Sequence, residues 1–560
     1  MNEQWEVSKS DVLIVGGGFG GLWSAIKAAE NGASVTLVEK SFAGKCGHSY
    51  FAGGAMQVLL PDDNLDEQVL DITLGNDWLV DQKKVEAIFS GSFDRLKDLE
   101  SFGVEYRKKN NKYDWTKARG TRNVKNVWPE HSTGADIATI LRKVALGKGV
   151  DIVNHVYIYA LIKGNSGRIA GVIGIGTKNK KNYLLKAKAT ILATNSGGFR
   201  GHHLASELQG TGPFMAYEAG AAIKNPEFHY YNIRPAKHEI EGSGILPAIG
   251  AKWINAKKEF YMADYDPELK DRAPTSKIVV AAAKEALKGN APLSINVEGM
   301  TEEERERFSV LMVSHGWQPI LFAKCKREEG YDILRDNIEW QPAYESNKLG
   351  IDTDLNGRTS IEGLFAAGMA RTLGINPFTG WSIMATTWSG HVAGDAARKY
   401  AKGVDYEEIN LEYLNKRKKV FFAPLNNEAT VDPDALVYKL QKIMFPADVL
   451  IIMTQAKLEE ALSKVVELKN EQMPHLHASD IKTLIKTKEV QTMLLAAEMS
   501  LEAALMRKET RANIYYREDY HEPDNEKWLK WILVNKGEKG EMVFSTRDIP
   551  FDQYKHKPVI

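Results

Sequence analysis

Within the first forty residues a strand, a glycine-rich turn, a helix, a second strand and an acid follow one another, and nothing else in the chain restricts its fold so tightly. Asp11-Val12-Leu13-Ile14-Val15 is the apolar run that a parallel strand buried on both faces requires. Gly16 to Gly21 spells Gly-x-Gly-x-x-Gly, with Phe19 and Gly20 between its second and third fixed glycines. Leu22 to Glu30 reads as a helix closed by Asn31-Gly32, and the strand Ser34 to Val38 ends at Glu39, 18 residues beyond Gly21. Each glycine has a mechanical task. Gly16 allows a tight turn, Gly18 lets a pyrophosphate approach the backbone, and Gly21 lets helix and strand pack closely. The helix N-terminus offers N–H groups and a positive dipole end to phosphates, and Glu39, followed by Lys40, can accept from a ribose diol.

NAD and FAD share this fingerprint, so a second signal must separate them. Ala189 to Ala193, then Thr194 and the Gly197-Gly198 pair, read as another strand opening into a turn. Gly363-Leu364-Phe365-Ala366-Ala367-Gly368 reads as a strand ending in glycine, and Thr379-Gly380-Trp381-Ser382-Ile383 begins a helix that should run to Gly394. Turns dispersed over this length suit one extended cofactor better than a small separate NAD domain. The expected cofactor is FAD.

A chain of 560 residues is long enough for two to four domains. Its 43% hydrophobic and 26% charged residues exclude a largely disordered protein. The 73 basic and 73 acidic side chains give zero formal charge, so no nucleic-acid partner is expected. Two cysteines, Cys46 and Cys325, cannot ligate an iron–sulfur cluster, which takes four thiolates. The longest stretch free of charge, Thr372 to Gly394, holds too many polar groups for a membrane span, and the charged N-terminus does not read as a secretory signal. A cytoplasmic protein is expected. His475 and His477 form a His-x-His without a third ligand in view, and no metal site is expected. Lys178 to Lys181 reads as a solvated hairpin tip.

The order of these motifs, from the glycine-rich start through Ala-Thr-Asn-Ser-Gly-Gly and Gly-Leu-Phe-Ala-Ala-Gly to Gly-Trp-Ser, resembles the flavoprotein subunits of succinate dehydrogenase and fumarate reductase. Adenylylsulfate reductase and ketosteroid dehydrogenases are relatives of that family. The run Gly210 to Ala221 and the tail from Glu509 to Leu529 resemble it too, so the likeness spans nearly the whole chain. It implies an α/β fold: a Rossmann-like FAD-binding domain (1–225 with 350–405), an inserted α+β capping domain (226–349), a C-terminal helical domain (406–510) and a tail region (511–560). The segment Gly47 to Gly54 resembles the family's element whose histidine bonds covalently to flavin, with the spacing to the glycine pair one residue shorter. His48, Ser49, Gly53 and Gly54 are therefore expected at the flavin. His48 would either carry the covalent bond or donate near the flavin N5 edge.

The chain departs from the family where a dianion would be clamped. Thr275 stands at the position of a proton-donating arginine, Glu227-Phe228-His229-Tyr230 keeps the histidine but loses Pro-Thr, Pro342 to Ser346 lacks His-Tyr-Thr, and Pro377-Phe378 replaces Asn-Arg. The aromatic residues Tyr230, Tyr231, Tyr344, Phe378 and Trp381 suit a substrate bulkier or less anionic than fumarate. The expected activity is hydride transfer between flavin and an organic carbon–carbon bond, with His229, Arg234, Tyr344 and Arg272 as candidates for proton transfer and charge stabilisation. A flavin-binding electron relay or redox sensor is the alternative, against which the insert of about 120 residues argues for enclosed chemistry. Electrons would pass to a separate carrier, an iron–sulfur protein or subunit, unless soluble NAD(P)H or a quinone reacts directly.

Overall fold

The computed structural model describes the chain except residues 1–4, 202–207, 238–245, 248–249, 314–317, 376–379, 429–430, 512 and 559–560. Phe378 and Pro377 lie outside the described residues. The fold is mixed α/β. Its main sheet runs in the order 151–154, 35–39, 5–15, 182–192, 169–176, 156–163, with 364–366 also paired to 182–192. The strands from 151–154 to 182–192, and 364–366, are parallel to their neighbours, while 169–176 pairs antiparallel on both sides. Val12, Leu13 and Ile14 have no exposed surface, as an apolar strand covered on both faces demands.

The helix Phe19–Ala28 leaves the glycine turn and crosses the long helix Trp381–Lys402 at glycines. A Cβ on Gly390 would stand 2.5 Å from the Gly20 carbonyl oxygen, and one on Gly394 would stand 2.5 Å from that of Ser24. Small residues bring these two backbones together. The long helix continues past the expected end at Gly394, carried by Asp395 pairing with Arg398 and Lys399 one turn on. Its partly charged final turns hide it from an apolar pattern.

The segment between 224 and 350 contributes an antiparallel pair, His229–Pro235 with Trp340–Asn347, and several helices, among them Thr275–Leu287. Further on, Leu411–Phe422, Pro433–Met444, Gln455–Glu467 and Ile481–Met506 are helical. The C-terminal hairpin pairs Lys530–Lys536 with Met542–Asp548. It joins a four-stranded sheet in the order 350–351, 223–224, 530–536, 542–548. Among the described residues no helix is long and apolar enough to cross a membrane.

Candidate functional site

A cavity of about 1610 Å³ runs from the glycine turn to the 229–235 and 340–347 strand pair. That exceeds the 300–1,000 Å³ typical of one small-ligand pocket, leaving room for a dinucleotide and a second molecule. At one end Gly16 has φ +110°, and a Cβ there would stand 2.5 Å from the Ala193 carbonyl oxygen. A Cβ on Gly21 would overlap the Gly16 carbonyl oxygen, so Gly21 tightens the turn from behind the wall. Phe19 N–H donates to Ser49 Oγ at 3.1 Å, which holds the segment after the second strand against the helix start.

Glu39, nearly buried, accepts from Gly17 N–H at 2.7 Å and Ser41 N–H at 3.0 Å. A carboxylate has about four acceptor positions, so two remain for a diol once these bonds have fixed its direction. Lys40 Nζ donates to Gln209 Oε1 at 3.1 Å and lies 3.5 Å from Glu489 Oε1. Gly368 N–H donates to Ser389 Oγ at 2.9 Å, and a Cβ on Gly20 would be 3.0 Å from Gly368, so the two glycine turns touch. Thr194 Oγ1 and the amide of Asn126 are buried on the wall without a partner among the described residues. A glycine cradle, an oriented acid and unpaired polar groups along one wall fit an extended dinucleotide. Residues that would hold it are Gly16, Gly18, Phe19, Gly20, Glu39, Lys40, His48, Ser49, Gly53, Ala193, Thr194, Gly368, Ser382 and Ile383, all on the wall.

The structure puts Gly21, Gly54, Gly197 and Gly380 one layer back. Gly54 (φ +92°) packs on Pro129, Gly197 on Asn347, and Gly380 (φ +81°) against Asn126 at the start of the long helix. His48 Nε2 lies 3.6 Å from Glu345 Oε1, so the segment after the second strand meets the 340–347 strand.

At the other end, Arg272 lines the cavity from an exposed position, whereas His229, Tyr344 and Arg234 sit behind the wall. Tyr344 OH and His229 Nδ1 are 3.4 Å apart. Tyr344 stacks with Phe199 and Phe445 at 5.2 and 5.1 Å between centroids, a packed aromatic cluster. Burial pushes the Tyr344 hydroxyl well above the usual tyrosine range and pushes His229 down to about 3, so both are neutral near pH 7. Arg234 Nη2 faces Glu345 Oε2 at 3.8 Å. The pairing of the two strands shifts by one residue between Tyr230 and Tyr231. Tyr230 and Asn232 line the cavity while Tyr231 packs on Tyr344. Trp381 is likewise core, its Nε1–H donating to the Leu373 carbonyl oxygen at 3.0 Å. Of the described aromatic residues expected at the substrate, Tyr230 alone is on the wall.

Thr275 does not leave its side of the cavity uncharged. Arg119, also on the wall, donates through Nη2 to Thr275 Oγ1. Sequence reasoning missed Arg119, Asn126, Asn232, Glu345 and Lys348, because no local motif surrounds them and chain folding alone brings them to this wall.

The chain matches the family model described as "FAD binding domain" over residues 11–382 and that described as "Fumarate reductase flavoprotein C-term" over residues 438–559. One of the subunits of the CoM/CoB fumarate reductase of Methanothermobacter marburgensis is 25% identical over 557 residues, covering 95% of this chain and 98% of that one. Among solved structures, E. coli quinol fumarate reductase superposes with a TM-score of 0.89 at 21% identity, over 99% of both chains. Adenylylsulfate reductase from Archaeoglobus fulgidus gives 0.84 at 24% identity, covering 99% of this chain and 97% of that one. These two structural likenesses concern the fold.

Proposed function

We propose that this chain, which belongs to the succinate dehydrogenase and fumarate reductase flavoprotein family and as such is an FAD-dependent oxidoreductase, moves a hydride between flavin and a carbon–carbon bond of a substrate bulkier or less anionic than fumarate. The observation that carries the reading is the single cavity, with the glycine turn and Glu39 at one end and Tyr230, Asn232 and Glu345 on the strand pair at the other. In this reading residues 1–225 with 350–405 hold the cofactor, 226–349 cap it, 406–510 form the helical domain and 511–560 the tail region.

FAD bound there supplies hydride exchange at its ring. The chain does the rest. Glu39 and the glycine turn hold the nucleotide, and the strand pair closes the reacting end away from water. Arg272 lines the cavity and serves as proton donor or charge stabiliser. His229, Arg234 and Tyr344 act as positioning residues: His229 and Tyr344 brace the wall, and Arg234 orients Glu345. Electrons come from a separate iron–sulfur carrier. The Methanothermobacter relative is by its name one component of a larger enzyme, and Cys46 and Cys325 cannot hold a cluster in this chain.

The test is anaerobic reoxidation of the chemically reduced flavoprotein by a panel of enoates. Reoxidation is expected with a bulky monocarboxylate and at most weakly with fumarate. Turnover on fumarate near the common enzymatic median of about 10 per second would overturn the substrate assignment. A reduced flavin that no enoate reoxidises would favour the relay.

A further inference from the structure

We infer that Lys348 is the charge partner of an anionic group on the substrate, its ammonium seated over the Tyr230 ring on the cavity wall. This rests on the reading above that substrate is bound in this cavity.

Lys348 follows the 340–347 strand where that strand meets the turn after 182–192: Asn347 N–H donates to the Gly197 carbonyl oxygen at 3.1 Å, and Lys348 N–H to that of Phe228 at 2.8 Å. Both backbone bonds fix the root of the side chain. The residue is 7% exposed and lines the cavity, and its Nζ stands 4.5 Å from the Tyr230 ring centroid. Its Nζ makes no hydrogen bond among the described residues, and Glu345 attracts it from the same strand. The aromatic face and Glu345 compensate the charge in part, but the N–H donors of an ammonium withdrawn from water still lack an acceptor.

Glu345 on the same strand is the carboxylate that acts on this ammonium, and it also faces Arg234 at 3.8 Å and His48 at 3.6 Å. An anionic group entering between Lys348 and Tyr230 takes up the unmet donors of the ammonium, while the ring offers an apolar face to the body of the same molecule. Burial pushes the ammonium down to about 8, so the partner is charged at neutral pH and is lost in mild alkali. The groups that act on this titration are Glu345 on its own strand and the Tyr230 ring on the adjacent strand, and Glu345 in turn faces Arg234 and His48.

The experiment is calorimetric titration of the flavin-loaded protein with acetate, benzoate and trans-cinnamate, beside benzamide and cinnamamide as neutral matches. At pH 7 at least one aromatic carboxylate should bind ten-fold or more tightly than its amide. Lys348→Met should bring that ratio near one with flavin content and melting temperature kept, and Lys348→Arg should keep most of the preference. In the wild-type protein the ratio should fall above about pH 8, and in Lys348→Met it should be flat. Failure of every carboxylate to bind the wild-type protein, or an unchanged ratio in Lys348→Met, would overturn the assignment. If Lys348→Met does not fold, the Arg variant and the wild-type pH profile decide alone. Because heat of binding needs no turnover, a protein that binds carboxylates through Lys348 yet exchanges no hydride would refute the hydride reading and not this one.

Discussion

His229 is held neutral far below the range in which a free imidazole titrates, because burial leaves its charged form without solvent. An unfolded chain takes up that proton near pH 6.5 and the folded one near 3, so the unfolded state binds more protons between these values. The contribution is complete above pH 6.5 and is lost as pH falls toward 3. Urea unfolding of wild type and His229→Gln at pH 7 and pH 5 should show a smaller loss on acidification in the variant; parallel losses would refute it. At His48 the ring nitrogen Nε2 already faces Glu345. Acid precipitation is therefore expected to release the flavin and leave a colourless pellet. A yellow pellet, with a fluorescent band on a denaturing gel, would establish a covalent bond instead.

At the scale of elements, the crossing of Phe19–Ala28 over Trp381–Lys402 decides where the glycine turn sits. A side chain at 390 would meet the Gly20 carbonyl oxygen at 2.5 Å and Trp23 Cβ at 2.7 Å, neither of which can yield without moving a helix. Gly390→Val should cost about 1–3 kcal/mol through overpacking and lower flavin occupancy with it. The visible-to-ultraviolet absorbance ratio and thermal melting measure both, and full occupancy with an unchanged melting temperature would contradict it. The turn itself was legible in sequence because its demands are local: a positive φ at Gly16, no Cβ at Gly21, an acid ending the next strand. The wall of the strand pair was not. A one-residue shift between Tyr230 and Tyr231 decides which of two adjacent tyrosines faces the cavity, and alternation alone cannot locate such a shift. Arg119 reaches Thr275 across 156 positions of chain, a distance over which spacing carries no signal.

Across the whole molecule, a buried ion network ties distant segments together. Arg507, with no exposed surface, donates to Glu227 at 2.9 Å, to Glu509 at 2.7 Å, and to the Trp528 and Lys530 carbonyl oxygens at 2.8 Å each. Even so paired, burial keeps Glu227 above the ordinary carboxylate range. Arg507→Met strands Glu227, whereas Glu509 keeps Arg511 at 2.8 Å, and the change should cost about 3–5 kcal/mol. Denaturant unfolding would reveal this, and a loss below about 1 kcal/mol would mean that the network is already compensated. The four-stranded sheet has a different consequence. Ile223 pairs with Ile351 and Lys224 with Gly350, so the two ends of the stretch between them lie at directly opposed residues, with Val534 and Leu533 on the other flank. Opposed residues in an antiparallel pair lie only about 4.5–5.5 Å apart. On the proposed division, the capping segment is thus inserted through a narrow neck, and a unit with adjacent termini is expected to replace it without redrawing the nucleotide cradle.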